Sequence, residues 1–191
     1  MIRRSLGALA AAFACTLCVV LGAAGVSLGT LPPAAAAEPA REYLIKAAFL
    51  YNFAKFTEWP AAALPDESSV QVCVLGDDPF GPALESIDGK PIKGRALVVQ
   101  RITAAEAARG CHVVFVSASE QERLTSVLQA LDELPILTIA DMPEFTRAGG
   151  IITLKTNQQQ QVRFEINVAE AKRAGLRLSA RLLNLAELTP N

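Results

Sequence analysis

CHVVFVSASEQERLTSVLQALDELPILTIAD, residues 111–141, decides the fold. Its first seven residues form a valine-rich apolar run, the mark of a strand buried on both faces. Ser119 and Glu122 have the spacing of a capping box, which predicts a helix through Leu131. PILTIAD, 135–141, is a second apolar run bounded by turn residues. Strand, helix and strand in this order argue for a parallel sheet with helices on its faces.

The same alternation extends toward the N-terminus. VQVCVLG (70–76) and RALVVQRI (95–102) read as strands, and Thr103 with Glu106 predicts a short capped helix closed by Gly110. Toward the C-terminus, 142–147 reads as a turn or short helix. GGIITLK (149–155) and VRFEIN (162–167) then predict a hairpin, the second arm alternating Val162, Phe164 and Ile166 with Arg163, Glu165 and Asn167. Asn167 with Glu170 opens a helix that Gly175 stops, and a last helix is expected over 179–188. The fold class predicted is α/β: a three-layer α/β/α sandwich with a mostly parallel central sheet and a C-terminal β-hairpin. A doubly wound sheet would place the first four long strands in the order 2-1-3-4.

The N-terminus reads as a secretory signal peptide, residues 1–37. Arg3 and Arg4 supply the positive start, Leu6–Leu28 carries no charge, and Ala34–Ala37 supplies small residues before Glu38, with cleavage expected after Ala37. The apolar run also has the length of a bilayer span, so an uncleaved anchor is the alternative. Residues 38–191 are then one domain of 154 residues with 16 basic and 19 acidic side chains, a net charge of −3. That balance offers no basic excess for nucleic acid. The two cysteines of this part, Cys73 and Cys111, are expected to be bridged in an oxidising compartment, the alternative being two separate buried thiols.

Catalytic machinery is not legible. His112 is the single histidine, and it lies in an apolar strand, where a structural role is the plain reading. Neither a Gly-x-Ser-x-Gly elbow nor a phosphate-binding glycine loop occurs, and no zinc-ligand spacing is found. Asp77 and Asp78 follow a strand as the acidic pair of a phospho-receiver would, with Lys155 on a later strand. Ser117, however, stands where the acceptor aspartate is needed, and GDDPFG reads as a turn. No enzyme, cofactor or metal is expected.

The helix predicted over 41–60 holds six of the ten aromatic residues after position 37. Leu44, Ala47, Ala48, Tyr51 and Ala54 make one apolar stripe, and Phe49, Phe53 and Phe56 a second. One stripe is expected to pack on the sheet. Part of the helix is expected to stay available for a partner, which makes Tyr51, Phe53, Phe56 and Trp59 candidate partner contacts.

KAAFLYNFAKFTEWP (46–60), VCVLGDDPFG (72–81), CHVVFVS (111–117), GGIITL (149–154) and FEINVAEAKRAGLRLSARLLNLA (164–186) together resemble the YfiR family. The resemblance implies a periplasmic α/β domain that binds the periplasmic part of an inner-membrane sensor, a diguanylate cyclase, and represses it. It further implies relief by an outer-membrane lipoprotein and a role in cyclic di-GMP and biofilm control. Cys73 and Cys111 match one disulfide of the namesake, whose second cysteine pair has no counterpart in 118–191. A homodimer is a further partner reading. The alternative function is a small-ligand-binding module, with a crevice formed by Gly76–Asp78 and Ser117–Ser119 beyond the carboxyl ends of the strands.

Overall fold

A computed structural model of the chain describes residues 34–189. Most of the segment read as a signal peptide lies outside them. Helix α1, Ala34–Lys55, is continuous through the expected cleavage position. Strands follow as β1 (Thr57–Glu58), β2 (Val70–Leu75), β3 (Pro91–Ile92), β4 (Arg95–Ile102) and β5 (Val113–Val116). Then come α2 (Leu124–Leu131), β6 (Leu137–Ala140), β7 (Ile152–Thr156), β8 (Val162–Ile166), α3 (Val168–Arg173), β9 (Arg177–Leu178), α4 (Ala180–Leu183) and β10 (Glu187–Leu188). Among the described residues no helix is long and apolar enough to cross a membrane.

The main sheet has the order β10-β8-β7-β6-β5-β2-β4-β3. Its centre is the expected 2-1-3-4 arrangement, with β4, β2, β5, β6 and β7 running parallel. The hairpin β7–β8 is antiparallel, with Leu154 opposite Phe164. Strand alternation sends side chains into two cores, as the period of two requires. Val72, Val74, Val113, Phe115, Leu137 and Ile139 face Leu50, Phe53 and Ala54 of α1. Cys73, Leu75, Val114 and Val116 face the other way, onto Val127 and Leu131 of α2 and onto Phe145. The molecule is thus the expected three-layer α/β sandwich.

Local readings differ from the structure at several elements. The helix expected to reach Trp59 ends at Lys55. Thr57 donates its hydroxyl to the Phe53 carbonyl at 2.7 Å, and Thr57–Glu58 then pairs with Arg177–Leu178 in a two-stranded sheet of its own. The expected helix over 103–110 is a 3₁₀ turn, Ala105–Gly110, without a side-chain cap. Ser119 caps no helix either: its hydroxyl accepts from the Asp77 amide at 2.9 Å, and 118–123 winds as a 3₁₀ turn ahead of α2. The last expected helix shrinks to α4, beyond which β10 adds to the sheet edge beside β8. Asn167 does cap α3, accepting from the Glu170 amide, and Gly175 follows that helix at φ +71.

The stripes of α1 also need correction. The buried line runs through Lys46, Ala47, Leu50, Phe53 and Ala54, while Leu44 is half exposed and Ala48 is exposed. A helix apolar on several sides does not say which side the sheet will cover, and a lysine hides one buried position from any apolar count.

Candidate functional site

Cys73 and Cys111 form a disulfide with Cα atoms 6.0 Å apart. Parallel pairing of β2 with β5 sets Val72 opposite Val113, which brings Cys111, just ahead of β5, beside β2. The next residue, His112, is buried and structural. Its Nδ1 accepts from the Gln71 amide at 3.0 Å, and its Nε2 lies 3.1 Å from the Ala63 carbonyl, to which it donates. Trp59 donates to the His112 carbonyl at 3.2 Å and meets the imidazole edge to face, centroids 5.9 Å apart. His112 therefore fastens the segment from Trp59 to Ala63 onto the sheet. Burial pushes its imidazole below the usual range, and the charge of Arg95 adds to this, against the opposing bond to Ala63.

The loops beyond β2 and β5 do come together. Ser119 and Glu120 occupy the space beside Gly76, so that a Cβ there would lie 2.4 Å from Ser119 Oγ and 2.7 Å from Glu120 Oε1. Glu120 is buried, with Oε1 2.8 Å from Arg123 Nη2 and Oε2 2.6 Å from Arg123 Nε. The Oε2 contact is close but not aligned as a hydrogen bond. Asp78 accepts from the amides of Phe80 and Gly81 and pairs with Arg101 at 2.7 Å, as a turn residue does. Lys155 is elsewhere, bonded to Glu165. Burial alone would raise the Glu165 carboxyl, but hydrogen bonds from Lys155, Thr189 and Thr146 hold it at about 2. The receiver-like set of Asp77, Asp78 and Lys155 is not assembled. Among the described residues no group of three or more His, Cys, Asp or Glu side chains could hold a metal ion.

A buried ionic cluster stands at the carboxyl end of β6. Lys46 bonds Asp141 at 2.6 Å and Glu42 at 2.7 Å, and lies 4.4 Å from the centroid of the Tyr43 ring. Tyr43 donates to the same Asp141 oxygen at 2.9 Å, and burial followed by the Asp141 charge raises its phenol. These charges are mutually satisfied and border a cavity of about 410 Å³ with Met142, Pro143 and Thr156.

The aromatic candidates divide. Phe53 is fully buried against Phe49 and Phe164, with ring centroids 5.6 and 5.0 Å away, which leaves it no surface to offer. Tyr51, Phe56 and Trp59 are half-buried. Tyr51 donates to the Pro91 carbonyl. Cations gather over these rings. Lys55 Nζ lies 6.0 Å from the centroids of both Tyr51 and Phe56, Lys90 Nζ 5.7 Å from Tyr51, and the Arg181 guanidinium 5.4 Å from Phe56. Nothing in the sequence pattern groups positions 55, 90 and 181; packing of the 3₁₀ turn Gly81–Ser86, β3 and α4 around the end of α1 does so. Beside them Trp59, Leu64, Ile92 and Lys93 line a groove of about 270 Å³.

The sequence matches the YfiR/HmsC-like family over residues 43–187, which includes the disulfide, the aromatic helix and the hairpin. The chain belongs to the YfiR/HmsC-like family. Comparison of this YfiR/HmsC-like chain with curated protein sequences gives no match. Among solved structures it is similar to a crystal structure of a conserved domain protein from Vibrio cholerae O1 biovar El Tor str. N16961, at 13% identity and a TM-score of 0.50. The match covers 77% of this chain and 60% of that one, and at this identity it bears on the fold alone. Membership in the YfiR/HmsC-like family supports, at the level of the family, a periplasmic regulatory role in cyclic di-GMP signalling.

Proposed function

We propose that this protein is exported, with cleavage after Ala37, and acts in the periplasm as a non-catalytic regulator. It binds the periplasmic domain of an inner-membrane sensor, a diguanylate cyclase, and holds it inactive. An outer-membrane lipoprotein opposes that repression. The observation that carries this reading is the family match across 43–187. Its contact surface is the end of α1, where Tyr51, Phe56 and Trp59 keep part of their area exposed. Such amphipathic aromatic area is the usual anchor of a protein interface.

Deletion of the gene is expected to raise cellular cyclic di-GMP and surface attachment, and re-expression to reverse both. Levels that stay unchanged across growth conditions count against the proposal. The partner is to be sought by passing solubilised inner membrane over the immobilised protein and identifying what is retained by mass spectrometry.

A further inference from the structure

We infer that the end of α1 docks an acidic protein segment, held by Lys55, Lys90 and Arg181 around Tyr51 and Phe56. This deepens the regulator reading by giving the chemistry of the partner, and it rests on that reading for the partner's identity.

The chain after position 37 is acidic on balance, yet this patch is not. Lys55, Lys90 and Arg181 are all exposed, and none forms an ion pair among the described residues. Glu58 draws on the other cations here: the Arg177 guanidinium bonds it at 2.7 Å, and the charge of Lys93 adds to holding that carboxyl below its usual range. Asp88, two positions before Lys90, accepts from the Val99 amide at 2.9 Å. Most cations elsewhere on the surface are neutralised locally, as Arg95 is by Asp66, Arg101 by Asp78, Arg147 by Glu144 and Arg173 by Asp132. Three cations without an ion pair among the described residues thus gather over the half-exposed rings.

The rings narrow the occupant. Tyr51 is tethered through its hydroxyl, and Phe56 packs on the main core, so neither projects as a wedge into a lipid surface. Their faces instead fix the cations within about 6 Å, where they remain free to meet carboxylates. The neighbouring groove along Trp59, Leu64 and Ile92 accepts apolar side chains of the same segment. An acidic segment interleaved with apolar residues satisfies both parts of the surface.

The test uses the protein as the cell makes it and a labelled peptide alternating glutamate with leucine. Fluorescence anisotropy is expected to show binding that weakens with salt. The combined variant Lys55→Gln, Lys90→Gln, Arg181→Gln should bind about tenfold more weakly or worse. The combination Arg109→Gln, Arg147→Gln, Arg163→Gln, which removes equal charge elsewhere, should bind as the unmodified protein does. Equal loss in both variants, or in neither, overturns the inference whatever gene deletion does to cyclic di-GMP. Preference for phosphatidylglycerol vesicles over the peptide overturns it in favour of a membrane surface. A dimer in sedimentation that only the patch variant dissolves overturns it in favour of a second copy. A deletion without effect on cyclic di-GMP alongside patch-specific peptide binding removes the regulator reading and leaves the acidic-segment site standing.

Discussion

His112 shows how a single ring nitrogen sets a pH response. Its Nδ1 must be bare to accept from Gln71, so protonation breaks that bond and charges a buried ring. Because the folded value is depressed, the unfolded chain, titrating near 6.5, takes up the proton first. Stability from His112 is complete above about pH 6.5 and drains as the pH falls below it. The urea midpoint is therefore expected to decline from pH 7 to pH 5, and a His112→Asn variant, though less stable, should decline less over that window. Gly76 is a second residue whose identity is dictated by space. It sits at φ +88 with Ser119 Oγ and Glu120 against the position of a Cβ. Gly76→Ala should cost about 1–3 kcal/mol in denaturant unfolding, whereas Gly110→Ala, with nothing near its Cβ, should cost far less.

Long elements were readable because each carries its own pattern. The apolar runs at 70–76, 111–117 and 135–141 became β2, β5 and β6 in the expected order, since a strand buried on both faces needs no partner to be recognised. β1, β3, β9 and β10 have two residues each and exist only through their neighbours, so no periodicity marks them. The capping boxes illustrate the same limit. Asn167 found the Glu170 amide, but the Ser119 hydroxyl was taken by Asp77 from the loop after the neighbouring strand. Lys46 hid the buried face of α1, and the cations at 55, 90 and 181 meet only after folding. The disulfide belongs to this scale as well, since it ties β2 to the chain entering β5. It closes a loop spanning 38 residues, and replacing both cysteines by alanine is expected to lower stability by about 4 kcal/mol in equilibrium unfolding.

For the molecule as a whole, the decisive contacts join distant parts of the chain. Glu42 meets Thr156, Phe49 and Phe53 meet Phe164, and Glu58 meets Arg177, 119 positions away. Removal of residues 176–189 would strip Leu176, Leu182, β9 and α4 from the aromatic face of α1. Such a truncated chain is expected to bind a hydrophobic dye and aggregate, while the intact chain does neither. Helix α1 precedes every strand in the chain, and its cover arrives in two stages: β2, β5 and β6 reach Leu50, Phe53 and Ala54, and Phe164, Leu176 and Leu182 complete the face only later. A chain emerging N-terminus first, from a ribosome or a translocation pore, therefore carries a half-covered phenylalanine face until its C-terminal part is delivered. Its yield should depend on how promptly that part follows.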